Sequence, residues 1–435
     1  MRSSAASDVY KRQLYTCCIL LFPVSAQQIP SFKANDRIVF LGNSITEGGH
    51  YHSYIWLYYM THFPELPLRI YNGGIGGDCA SHMVFRFDSD IKIKKPTYLV
   101  CSFGMNDSGY DGYNKPGYDK YANKQVEYAN TEFGKLQQQI LADKKIKNVV
   151  LLGSSPYDEN VKLEGVETLH GKNETIKRII EMQAEGAQKR GWGFVNFNTV
   201  MCELNKEIQQ SDSTATFCGG DRIHPDKDGH MVMAYLFLKA QGLAGKEVAY
   251  FHINATNRKA MEERNCRITH IKNENDTISF SYLSRSLPFP VDTIPRWGTK
   301  GTARDAVRQI PFMQEMNQEI MKVTDLHGNF RVTIDGTEIG CWDSNELSKG
   351  INLAEITCTP QYQQSLSIMY LNEERCAIEK RLRQYMAMQY VFFKHRGLLF
   401  ADNKAALDAA KAERESHYLV KYLYTNYTCL LYTSP

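Results

Sequence analysis

Arg37-Ile38-Val39-Phe40-Leu41-Gly42-Asn43-Ser44-Ile45-Thr46 is the stretch on which the fold turns. Its first half is a short, mostly apolar run rich in β-branched and aromatic residues, which reads as a strand buried inside a sheet. The chain then turns through Gly42-Asn43 and places Ser44 at the carboxyl end of that strand, where open α/β sheets put their ligand sites. Ser44 also opens a helical stretch, so its backbone N–H points at the site and the helix dipole favours a developing negative charge. Taken alone, Gly-Asn-Ser is a common turn or N-cap, so the surrounding chain has to decide.

Four more buried strands are expected at Leu68-Tyr71, Tyr98-Phe103, Asn148-Ser155 and Phe194-Phe197. Between them, helical periodicity runs over about 51–63, 79–93, 118–143 and 172–190, and a last helix is expected at 227–241. This βαβα alternation predicts an α/β fold: a three-layer α/β/α sandwich around a five-stranded parallel sheet with right-handed crossovers. Past Gly245 the pattern changes. Strand-like pieces appear around Ile278-Tyr282 and Phe330-Ile334, the second leading into a hairpin turn at Asp335-Gly336. Pro360 to Tyr424 has helical spacing and predicts one or two long helices packed on something larger.

The division that follows is an α/β domain over 27–245 and an accessory module of small strands and then helices over 246–425. Leu14 to Val24 is apolar and closes with Val24-Ser25-Ala26, the small-residue pattern of a signal-peptidase site, so 1–26 is expected to be a leader and the protein to be secreted or periplasmic. That run is shorter than a spanning helix needs, so no stable membrane insertion is expected. The first thirteen or so residues and the tail 426–435 resemble translated adapter sequence and are read as foreign to the fold.

The 435 residues are 43% hydrophobic and 11% aromatic, enough to bury a sizeable core, and the net charge of +3 leaves no basic footprint for nucleic acid. Eight cysteines lie between the leader and the tail, none with metal-ligand spacing; Cys202 and Cys218 are a plausible disulfide pair, with free buried thiols the equal alternative.

The remaining chemistry-bearing residues sit at the same sheet edge. After the second strand comes Asn72-Gly73-Gly74-Ile75-Gly76-Gly77-Asp78, whose glycines let backbone approach a ligand, though it lacks the Lys and Ser/Thr of a phosphate-binding loop. After the third comes Gly104-Met105-Asn106-Asp107, which offers a carboxamide. After the fifth comes Gly220-Asp221-Arg222-Ile223-His224-Pro225, where an acid and an imidazole stand three apart. A serine hydroxyl needs a base within hydrogen-bond reach, and the base needs an orienting acceptor. Ser44, His224 and Asp221 supply those roles. A metal-hydrolase alternative would recruit Asp221, His224 and His230, but no helix motif of two histidines and a carboxylate appears.

Together these blocks resemble the SGNH (GDSL-type) hydrolases, in the family's order and over about residues 34–242. The resemblance implies a flavodoxin-like fold and ester hydrolysis with neither metal nor cofactor. It also implies an oxyanion hole made from the backbone N–H groups of Ser44 and Gly77 and the amide of Asn106. One departure is Asn43, where the family name implies Asp, which alters the local hydrogen bonding at the turn; asparagine still caps a turn. The expected substrate is a small-molecule or polysaccharide ester, with acetylated carbohydrate favoured by the export signal and by a polar, Tyr-rich rim at 110–121, a stretch that reads equally as a solvated loop; the aromatic segment His50 to Trp56 is expected to be helix packing. Within enzymes the alternatives are a broad carboxylesterase, lipase or acyltransferase; outside them, a catalytically silent glycan-binding protein. The sequence leaves the oligomeric state open.

Overall fold

The computed structural model describes residues 28–275, 277–294 and 301–433; the expected leader and the last two residues of the chain lie outside the described residues. The α/β domain is built on β1 (Arg37–Gly42), β2 (Arg69–Gly74), β3 (Tyr98–Phe103), β4 (Asn148–Gly153) and β5 (Gly193–Asn196). All neighbours pair in parallel, in the order β2-β1-β3-β4-β5. The chain therefore leaves β1 to one side, then crosses back to the other, and the switch falls at the carboxyl end of β1, directly before Ser44.

Alternation along β1 builds both layers of core. Ile38 and Phe40 pack with helices α2 (His50–His62) and α7 (Lys227–Ala240), whereas Val39 and Leu41 pack with α3 (Ala80–Arg86) and α4 (Tyr118–Ala142). Two other helices complete the domain, α5 (Lys172–Arg190) and α6 (Phe197–Ile208), and the short α1 (Ser44–Gly48) carries the serine. The sequence reading did not separate α6 from the strand before it: Phe197 begins the helix, because the Asn196 side chain accepts from the Thr199 N–H and caps it. It also ran one helix over 79–93. The helix instead opens at Phe87–Ile91 into a wider turn that buries Asp90 against Arg86.

The following module carries more strands than expected. β6 (Ala249–Asn254), β7 (Lys259–Arg264), β10 (Glu319–Thr324) and β13 (Ile351–Asn352) form a sheet in the order β13-β10-β6-β7. β8 (Cys266–Glu274) and β9 (Thr277–Ser284) form one hairpin, and β11 (Asn329–Ile334) and β12 (Thr337–Asp343) another. The expected turn at Asp335-Gly336 has φ of 48° and 81°, as a two-residue hairpin turn requires. Lys-Ala-Met-Glu-Glu-Arg of β7 has no strand-like composition; pairing with β6 makes it a strand.

Short helices α8 (Ala303–Val307), α9 (Phe312–Met316) and α10 (Ser344–Lys349) lie among these strands, and the chain ends in further helices. α11 (Pro360–Ala387) starts with proline at its first turn and Thr359 capping Tyr362, and is followed by α12 (Lys404–Ala412) and α13 (Tyr418–Thr433). Among the described residues no helix is long and apolar enough to cross a membrane. The suggested disulfide is absent: Cys202 and Cys218 are both free, Cys202 meeting Asn173 and Asn198 while Cys218 accepts from Asn205.

Candidate active site

Ser44 stands at the first turn of α1, where Asn43 accepts the Ile45 N–H at 3.0 Å through its side-chain oxygen. That oxygen is the atom an aspartate would also present, so the cap survives the Asn-for-Asp exchange. Ser44 Oγ is 2.7 Å from His224 Nε2, and His224 Nδ1 is 2.5 Å from Asp221 Oδ2. The other carboxylate oxygen of Asp221 accepts the backbone N–H groups of Ile223 and His224 at 3.0 and 2.9 Å. Partial burial pushes the Asp221 carboxyl up, but the His224 hydrogen bond and charge, with the two backbone donors, outweigh it and hold the acid below its ordinary range. The side chains of His224 and Asp221 remain 46% and 50% exposed, so a substrate can reach them.

The second strand delivers Gly74-Ile75-Gly76-Gly77-Asp78 beside the serine. A side chain at Gly74 would strike the backbone of Thr46 and Glu47, so only glycine lets β2 end this close to α1. Gly77 is exposed, with φ +81° and open space where a β-carbon would stand. Asn106 donates from Nδ2 to the Asp78 carbonyl at 3.0 Å and accepts from the Tyr110 hydroxyl at 2.8 Å. A carboxamide nitrogen carries two donors, and Asp78 takes one of them. Asp107 ties the same loops from beneath, accepting from Ala80 N at 2.7 Å and Gly104 N at 2.8 Å. Ser44, the glycine loop, Asn106, Asp221 and His224 thus meet at the carboxyl edge of one sheet.

Three residues around this edge escaped the sequence reading. Arg222, between the acid and the imidazole, is buried at φ +69° and donates to the carbonyls of Asp158, Val161 and Val166. Lys172 is fully buried and donates to Met105 O, Ser108 Oγ and Gly109 O under the Tyr110 ring. The third, Tyr110, was grouped with a solvated or sugar-facing rim, yet it spans Lys172 and Asn106. The aromatic run after the serine is helix core: Tyr51, Tyr54 and Tyr58 are buried, and His52 stacks on Phe40. His230 is buried too, its Nδ1 accepting from the Tyr51 N–H.

Residues 40–232 match the model of the GDSL-like Lipase/Acylhydrolase family, and residues 366–434 match the Diltiazem deacetylase C-terminal helical domain. The solved structure of a gut microbial diltiazem-metabolizing enzyme is 47% identical, with 94% of this chain and 92% of that chain covered and a TM-score of 0.91. An acetylxylan esterase of Geobacillus stearothermophilus is 23% identical over 225 residues, 48% of this chain and 95% of that protein. A solved acetylxylan esterase structure from the same organism aligns over 48% of this chain and 95% of that one at 21% identity, with a TM-score of 0.37.

Proposed function

Since the chain belongs to the GDSL-like lipase/acylhydrolase family and is an ester-hydrolysing enzyme, we propose that it removes acetyl groups from esterified alcohols through Ser44, His224 and Asp221. The observation that carries this reading is the unbroken run from Ser44 Oγ to His224 Nε2 at 2.7 Å and from His224 Nδ1 to Asp221 Oδ2 at 2.5 Å.

In this reading His224 Nε2 takes the hydroxyl proton as Ser44 Oγ attacks the ester carbonyl carbon. The carbonyl oxygen becomes an oxyanion received by the N–H groups of Ser44 and Gly77 and the amide of Asn106. His224 returns the proton to the departing alcohol. Water, deprotonated by the same imidazole, then attacks the acyl-serine; the bond from the acyl carbon to Ser44 Oγ breaks, Oγ takes the proton back from His224, and the carboxylic acid leaves. Asp221, held ionised, fixes the imidazole with Nδ1 protonated and Nε2 facing the serine.

The acetyl preference rests on two relatives: one similar over nearly the whole chain and named for metabolising diltiazem, with a matching helical domain named for a diltiazem deacetylase, and one named for acetylxylan. Acetylated carbohydrate and small acetylated compounds are therefore the two substrate classes to compare. Export through the leader is part of the same proposal, supported by the apolar run and its small-residue end.

The test is hydrolysis of p-nitrophenyl acetate, butyrate and octanoate by the protein from residue 27 onward beside Ser44→Ala, followed by acetate release from diltiazem and from acetylated xylan. Acetate cleavage lost in Ser44→Ala supports the reading. Equal rates in the two proteins would sink the nucleophile, and faster turnover of octanoate than acetate would sink the acetyl preference.

A further inference from the structure

Ile75 lies in the middle of the glycine loop and is completely buried, yet it belongs to neither layer of the catalytic core. It packs into the apolar cluster of the C-terminal helices, with Ala387, Met388, Phe393, Val420 and Tyr427. The backbone on both sides of it is also held. Arg383 of α11 donates from Nε to the Gly74 carbonyl at 2.9 Å, and Gly76 N donates to Glu47 Oε2 at 2.5 Å. Upstream, Asn72 N donates to Glu379 Oε1, again from α11, at 2.8 Å.

The other two arms of Arg383 bind Asp90, at 2.8 and 2.7 Å. Asp90 is shared with Arg86 at 2.5 Å, and Arg86 in turn holds Asp78 at 2.7 Å, the Gly73 carbonyl at 2.7 Å and the Gly42 carbonyl at 3.2 Å. Arg383, Arg86, Asp90 and Asp78 are all nearly inaccessible to solvent. Buried charges persist only when each is paired and hydrogen-bonded, so this set has little freedom to rearrange. One guanidinium from the helical module thereby closes a network that touches the loop before Ile75, the loop after it and the strand leading to Ser44. Gly77 lies two residues past Ile75 and directly before Asp78, between two of these anchors.

We propose that the C-terminal helical module positions the oxyanion-binding loop, with Arg383 and the pocket receiving Ile75 as its points of grip. This rests on the preceding reading, in which the Gly77 N–H receives the oxyanion. Neither residue touches the reacting atoms; both act through the loop. A donor aligned with the tetrahedral oxygen and not with the ground-state carbonyl contributes to turnover more than to substrate binding. Loosening the grip therefore lowers kcat and leaves KM near its parental value.

The test compares the full chain with Arg383→Met, Arg383→Lys, Ile75→Ala and Ser44→Ala. Each is assayed on p-nitrophenyl acetate and titrated with phenylboronic acid, whose tetrahedral serine adduct uses the same hole, and circular dichroism and the thermal midpoint report folding. Losing one oxyanion donor costs on the order of 10²–10³ in kcat, so Arg383→Met and Ile75→Ala are expected to lose about tenfold or more, with KM within about threefold and boronate affinity falling in step. Arg383→Lys recovers part of the loss, because an ammonium reaches the Gly74 carbonyl or Asp90 but does not fork across both oxygens. Should Arg383→Met not fold, Ile75→Ala, which alters no charge, decides alone. A folded variant with parental kcat, or with an effect on KM only, overturns the inference while a dead Ser44→Ala leaves the site reading intact. An active Ser44→Ala removes the site reading, and this inference with it.

Discussion

Tyr110 donates its hydroxyl to the side-chain oxygen of Asn106 at 2.8 Å while the face of the same ring lies 3.8 Å from Lys172 Nζ. With that oxygen taken and one N–H engaged by Asp78, the Asn106 amide is fixed in one orientation.

Tyr110→Phe keeps the ring over Lys172 and removes only the bond to Asn106. A neutral hydrogen bond contributes about 1 kcal/mol, so kcat on p-nitrophenyl acetate is expected to fall roughly three- to tenfold with little change in KM. Because Tyr110 acts through Asn106, adding Tyr110→Phe to Asn106→Ala should cost nothing further. If the two effects multiply in the double variant, Tyr110 meets the substrate on its own account.

The strands at 37–42, 98–103 and 148–153 were legible because each is a buried apolar run between turn residues, and the residues named as nucleophile, base and acid meet because their loops leave one sheet edge. What was not legible is what holds those loops. A lysine at a helix start reads as a solvated cation, and nothing local shows that Lys172 is sealed beneath Tyr110. Arg222 was seen only as a spacer in Asp-x-x-His, although its guanidinium reaches carbonyls about sixty residues back. Ile75 and Arg383 are more than three hundred residues apart in sequence, and only the packing of the helical module brings them to one loop. Periodicity reports local structure; these contacts, charged or apolar, are long-range, and they leave no period behind.

Arg222 keeps Asp221 and His224 in register at a backbone cost, since φ +69° is a region that side chains with a β-carbon seldom adopt. Arg222→Ala retains that conformation and strips donors from three carbonyls, an expected loss of about 2–4 kcal/mol in urea unfolding. Arg222→Gly loses the same donors but adopts the left-handed turn freely, so it should unfold about 1 kcal/mol later than Arg222→Ala. Both should lower kcat. Equal stability of the two variants would show that the turn carries no strain.

Lys172 supplies three ammonium donors to three oxygens, Met105 O at 2.9 Å, Ser108 Oγ at 2.6 Å and Gly109 O at 2.6 Å. Burial nevertheless pushes it down from an ordinary 10.5 to about 7, against the opposing pull of Asp107 and Cys79. Between those two values the unfolded chain holds a proton that the folded protein has released, so folding stability attributable to this residue rises with pH across the window. Below the folded value both states are charged and the dependence vanishes. Lys172→Met has nothing to titrate there, so the stability of the parent relative to the variant should grow by roughly 2 kcal/mol between about pH 7 and about pH 9 in urea unfolding. The comparison with the variant cancels the other groups that titrate in that range. A flat difference across those conditions would show that the three oxygens and the tyrosine ring keep Lys172 protonated in the fold, as a permanent cation beneath the Asn106 loop.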